Sequence, residues 1–155
     1  MASAAPSGRD PLISISARAT EPRVRRMVRA LDAALRASGV TDDQRGSITL
    51  AVAEALNNIC EHAYGKGAAG PVSLTATLAP EELEVILRDS GGAMPGGALP
   101  PPRPPDPSVS RDSLPEGGFG WPLMHKLCSD ISYNRNKGQN TLILRFEASC
   151  VTLRH

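Results

Sequence analysis

Glu54, Asn58 and His62 recur at four-residue intervals within Ala51 to Tyr64, a spacing that sets a carboxylate, an amide oxygen and an imidazole on one stripe of a helix. A carboxylate one turn from a neutral oxygen donor can hold a hydrated divalent cation beside a water or hydroxyl, the pairing that phosphoryl transfer from a nucleotide requires. The same residues also satisfy a plainer reading, the solvated polar face of an amphipathic helix. For His62 a structural role, as a buried imidazole that fixes the helix by hydrogen bonding, is expected over a catalytic one.

Two further segments carry chemistry downstream. Asp89, Ser90 and Gly91 follow a run of alternating apolar residues, so an acidic side chain stands at a strand end ahead of a glycine. The same three residue types also make ordinary turns. Gly117, Gly118 and Gly120 precede a helical stretch, where amides unobstructed by Cβ atoms and the positive end of the helix dipole can approach phosphate oxygens. A flexible loop exit with a helix cap is the alternative there. The order of the pieces carries more than any one of them: a Glu/Asn helix, then Asp-x-Gly after a strand, then a long loop into a glycine-rich helix start.

The elements that must position these groups follow from the pattern. Leu12 to Ser16 is β-prone, and Thr20 can cap a helix in which Val24, Met27, Val28, Leu31 and Leu35 repeat before Gly39 closes it. Thr41 to Gln44 has the form of a capping box, with Gln44 able to reach back to the Thr41 amide, and it opens a second helix running to about Tyr64. There Ile48, Val52, Ala55, Ile59 and Ala63 share one side, and Glu54, Asn57, Asn58, Glu61 and His62 the other. Leu50, among the polar positions, points to a face that meets another part of the protein or a ligand.

Val72 to Leu78 and Leu83 to Asp89 alternate as a hairpin. Between Ser90 and Pro107, repeated glycines and prolines can sustain neither helix nor strand, so a long loop interrupts the domain. A third helix follows with Pro122 in its first turn, and then Ile131 to Asn136 and Thr141 to Phe146 pair across a tight turn at Lys137 and Gly138. The expected class is α+β, a two-layer sandwich with helices on one face of a mixed, mainly antiparallel sheet. Residues 1–10 are expected to be a disordered N-terminus, 11–147 a single domain with a lid at about 94–116, and 148–155 a C-terminal tail.

Composition bounds the functional classes. The 155 residues, 41% hydrophobic, suffice for one domain with a proper core and not for two. With 3% aromatic residues, that core must come from Leu, Val, Ile and Ala. A formal charge of +1 gives no net field to draw in a polyanion, so neither nucleic acid nor a membrane is an expected partner. Cys60, Cys128 and Cys150 form no CxxC pair, which indicates neither a disulfide framework nor a zinc site and points to reduced thiols in the cytoplasm. The N-terminus shows no signal-peptide core, and no apolar run approaches membrane-spanning length.

Taken together, Glu54 to Tyr64, Arg88 to Pro95 and Gly117 to Met124 resemble the N box and the two glycine boxes of the anti-sigma-factor serine/threonine kinases. These are a branch of the Bergerat-fold superfamily of gyrase, heat-shock chaperone, histidine kinase and mismatch-repair ATPases. The likeness runs from about Ile13 to Phe146. It implies ATP and Mg2+ as cofactors, Glu54 as general base and Asn58 as the magnesium ligand. It further implies that Asp89 accepts a hydrogen bond from the adenine amino group, that Gly91 lets the base lie against the backbone, that Gly118 and Gly120 close around the phosphates, and that Thr141 adds an adenine contact.

The partners implied are a sigma factor and an anti-sigma factor antagonist phosphorylated on serine, with the kinase a homodimer. Arg23, Arg25, Arg26 and Arg29 form a basic patch, either a solvent face or a dock for an acidic partner. Gly92-Ala93 and the proline-rich stretch between Met94 and Glu116 depart from the family pattern, and Arg103 or Arg111 could reach phosphates from that lid. A catalytically inactive ATP-binding interaction module is the alternative function. A detached histidine kinase ATPase domain is disfavoured, since no helix ahead of the N box carries a phosphoacceptor histidine.

Overall fold

A computed structural model of the chain describes residues 10–64, 69–94, 97–99 and 120–148. In chain order these form strand β1 (Ile13–Arg18), helix α1 (Glu21–Ala37), helix α2 (Asp42–Asn58) continued by a π-helical turn (Ile59–Ala63), strands β2 (Pro71–Leu78) and β3 (Glu82–Asp89), helix α3 (Gly120–Leu127), and strands β4 (Asp130–Asn136) and β5 (Gln139–Glu147). The strands make one sheet in the order β1-β2-β3-β5-β4, with every pairing antiparallel.

Period-two patterning decides the layers. Leu74, Leu87 and Leu142 stand opposite one another across three strands, Ala76, Val85 and Leu144 fill the next row, and all six are buried. The intervening Ser73, Thr75, Thr77 and Arg88 lie only partly buried on the other face. The helices cover the apolar face: Val24, Met27, Leu31 and Leu35 of α1, Ile48, Val52 and Ala55 of α2, and Trp121 and Met124 of α3 join the same core. The result is the α+β sandwich expected, with α2 packed between α1 and α3. Among the described residues no helix is long and apolar enough to cross a membrane.

Helix ends show where local chemistry succeeded and where packing took over. Thr41 Oγ1 accepts from Gln44 N at 3.3 Å, which is one half of the capping box. The reciprocal half is missing, because Gln44 Oε1 is buried without a partner. Thr20 makes no side-chain cap, and its hydroxyl is likewise buried and unpaired, while Pro22 at the start of α1 removes one amide that would need capping. Gly39 does close α1, at φ 87°. Between the two helices Arg45 donates to Asp32 at 2.9 Å, to Asp42 at 2.7 Å and to the Val40 carbonyl at 2.8 Å, so a buried guanidinium is satisfied on three sides.

The second helix does not stay α-helical to Tyr64. It changes to a π turn after Asn58, and Tyr64 N bonds back to Ile59 O at 3.3 Å. The Ala63 carbonyl, left without an intrahelical donor, takes Gly92 N at 2.7 Å. Tyr64 then joins this helix end to the sheet, its hydroxyl donating to Pro71 O at 2.7 Å and accepting from Ser90 N at 2.8 Å. At the opposite hairpin Lys137 (φ 52°) and Gly138 (φ 78°) make a two-residue turn with both centres left-handed, which matches the strand twist. Cys60 and Cys128 are free thiols, and burial, then Asp130, pushes Cys128 up to about 12, so it stays protonated at neutral pH.

Replacing Tyr64 by Phe removes both bonds while keeping the ring. The Tyr64→Phe protein is expected to lose about 1 kcal/mol of stability. A urea melt with an unshifted midpoint would show that the hydroxyl holds nothing together.

Candidate functional site

The polar side of α2 is divided by burial. Glu54 and Asn58 are half-buried, whereas Asn57, Glu61 and His62 are exposed. The first residue of α3 explains the difference. A Cβ on Gly120 would lie 2.6 Å from Glu54 Oε1 and 3.9 Å from Asn58 Nδ2, so the backbone at the start of α3 rests on these two side chains. That close approach requires glycine, and it sets the Glu54 carboxylate beside a helix N-terminus, where negative charge is favoured. His62 is not the buried structural histidine expected: its side chain is 44% exposed and faces Glu61 at 3.8 Å. The wider π turn carries it out of phase with the four-residue stripe.

The second cluster lies at the end of β3. Asp89 is only 5% exposed, and its Oδ1 accepts from Gly91 N at 2.9 Å and from Asn140 Nδ2 at 2.9 Å. The bond to Gly91 is the ordinary Asx turn that the residue types allow, but burial and the second donor go beyond turn chemistry. Asn140 also donates to Gly92 O at 2.9 Å. Its Oδ1 accepts from Tyr133 at 2.6 Å and from Arg135 at 2.8 Å. Gly91 has no room for a side chain, since a Cβ would sit 2.5 Å from the Ala63 carbonyl oxygen. The Ala63–Gly92 bond therefore fixes this turn directly onto the end of the Glu54/Asn58 helix.

Thr141 is not brought to this cluster. It pairs with Arg88, on the sheet face opposite Asp89, and Asn140 occupies the register position beside Asp89. The alternation of Leu142, Leu144 and Phe146 carried the signal that would have found Asn140, since residues in phase with them face the helices. Gly118, the adjoining Gly117, the two lid arginines and nearly all of the stretch 94–116 lie outside the described residues. Leu50 is 45% exposed.

A family model described as the histidine kinase-like ATPase domain matches residues 16–146. The chain belongs to the histidine kinase-like ATPase family. Serine/threonine-protein kinase BtrW of Bordetella bronchiseptica is 37% identical to it over 101 residues, which cover 64% of this chain and 68% of that protein. Serine-protein kinase RsbW of Bacillus subtilis is 30% identical over 109 residues, 70% of this chain and 68% of that one.

Among solved structures, the RsbU and RsbW domains of Rv1364c from Mycobacterium tuberculosis align with a TM-score of 0.61 at 18% identity, over 88% of this chain and 32% of the other. The catalytic domain of histidine kinase ThkA aligns with a TM-score of 0.53 at 14% identity, over 90% and 99%. Both share the fold of this ATPase domain.

The side chains of the ATPase domain suit a metal-bound nucleotide. Among the described residues Asn58 Nδ2 is buried with no hydrogen-bond partner, an unusual and costly state for a native amide. A phosphate oxygen meets that need, and the oxygen of the same amide is a hard donor of the kind magnesium takes. Gly91→Ala drives a methyl group into the Ala63 carbonyl, which as backbone cannot swing aside. It is expected to cost roughly 1–3 kcal/mol in urea denaturation, and wild-type stability would show that the turn can shift away from the helix.

Proposed function

We propose that this chain is an ATP-dependent serine/threonine protein kinase that binds a sigma factor and phosphorylates an anti-sigma factor antagonist on serine. It acts in the cytoplasm, where ATP is available, as a homodimer. The observation that carries this reading is the seating of Glu54 and Asn58 together under the first residue of α3, with the Asn58 amide unpaired. A carboxylate and an oxygen donor held in one half-buried place supply a base and a metal-phosphate anchor. The serine/threonine-protein kinase BtrW and the serine-protein kinase RsbW support the assignment to protein phosphorylation.

Each residue then has a task. Asp89 accepts the exocyclic amino group of adenine, and Gly91, bare of side chain, allows the base to lie against the backbone. Asn58 holds the phosphates, and Mg2+ with them through its amide oxygen. When bound, the ion supplies charge neutralisation on the transferred phosphoryl group. Gly118 and Gly120, without side chains, close around the phosphates. Glu54 orients the partner's serine hydroxyl and takes its proton as the oxygen bonds to the γ-phosphorus, whose bond to the β–γ bridging oxygen breaks to release ADP. In a loose transition state such a carboxylate contributes chiefly by positioning, so a strongly basic group is unnecessary.

Incubation with γ-labelled ATP, Mg2+ and the cognate antagonist tests this. Label should appear on a partner serine, and Glu54→Gln should slow transfer about 100- to 10,000-fold while ATP affinity stays close to wild type. Tight ATP binding with no transfer by the wild-type protein would instead establish a binding module. Equal transfer by the variant would remove Glu54 from the chemistry.

A further inference from the structure

We infer that Asn140 is the positioning residue that makes this site prefer a 6-amino purine to a 6-oxo purine, an inference that rests on the nucleotide reading above. Adenine presents an N–H donor where guanine presents a carbonyl oxygen. A carboxylate discriminates between them only if one oxygen faces the base with its lone pairs free. Asp89 meets that condition through its neighbours. Both of its described hydrogen bonds, from Gly91 N and from Asn140 Nδ2, fall on Oδ1, which pins the carboxylate plane and leaves Oδ2 for the ligand.

The direction of the Asn140 amide is set from the far side. Met94 N donates to the Tyr133 hydroxyl at 3.0 Å, which commits the Tyr133 proton to Asn140 Oδ1. Arg135, a donor only, reaches the same Oδ1 at 2.8 Å and also Gly91 O at 2.9 Å. Turning the amide over would place its NH2 against a guanidinium and its oxygen against the Asp89 carboxylate. Nδ2 is therefore locked on Asp89, and a chain of donors runs from the β4 edge to the base-binding carboxylate. Side chains from three strands, together with the Met94 amide, set one hydrogen bond to the ligand.

The test compares dissociation constants for Mg-ATP and Mg-GTP, measured by calorimetry on the full chain. Asn140→Leu removes the donor while keeping the side chain's branching and number of heavy atoms, and should cut the ATP-over-GTP preference about tenfold or more, with ATP affinity falling. Should Asn140→Leu fail to melt cooperatively, Tyr133→Phe decides, because it deletes a single half-buried hydroxyl and should lower the preference roughly threefold. A folded variant with the wild-type ratio overturns the role of Asn140 and leaves the nucleotide reading intact. A wild-type protein that binds neither nucleotide overturns both.

Discussion

A buried carboxylate is the constraint around which the rest of the site is arranged. Charge cannot be taken out of water unless hydrogen bonds replace the lost solvation, and Asp89 closes the inward row of β3 behind Leu83, Val85 and Leu87. The β3–β5 register supplies the remedy by setting Asn140 directly opposite. The Asx turn supplies the second donor, and the turn in turn depends on Gly91 fitting under the Ala63 carbonyl. One desolvated group thus dictates the identity of its cross-strand neighbour, the absence of a side chain two residues on, and the place where the long helix must stop.

Much of this was legible in the residues because it follows from period alone. Alternation over Val72 to Leu78 and Leu83 to Asp89 gives the hairpin, and the recurrence of Val24, Met27, Leu31 and Leu35 gives α1. Glu54 and Asn58 stand out because a four-residue repeat of polar groups on a helix is visible without any knowledge of what packs against it. What period cannot show is which polar groups end up under another element. Burial of Glu54 and Asn58 and exposure of His62 depend on α3 arriving more than fifty residues later, and on a change of helical pitch that no local propensity announces.

Thr141 illustrates a different limit. Family likeness drew attention to the hydroxyl, yet strand parity governs which side a residue occupies, and parity assigns the inward place to Asn140. The alternation that sets Asn140 rather than Thr141 beside Asp89 was present in the sequence. The unmet amide of Asn58 and the unmet carbonyl of Gln44 are of another kind, since they emerge only when three-dimensional neighbours are counted. Likewise the Arg145 bonds to Glu84 at 3.0 Å and to Asp130 at 3.2 Å, which brace the sheet's outer face across three strands, need the register before they can be seen.

The π turn at Ile59–Ala63 separates the two halves of the site mechanically. Glu54 and Asn58 ride on regular helix clamped between α1 and α3, whereas the carbonyl that holds the Gly91–Gly92 turn belongs to a loosely wound coil just beyond them. Each half therefore answers to its own ruler. Winding or unwinding those five residues would slide the Asp89–Gly92 turn while Glu54 and Asn58 stay still, so the distance between the two clusters is adjustable by evolution without disturbing either.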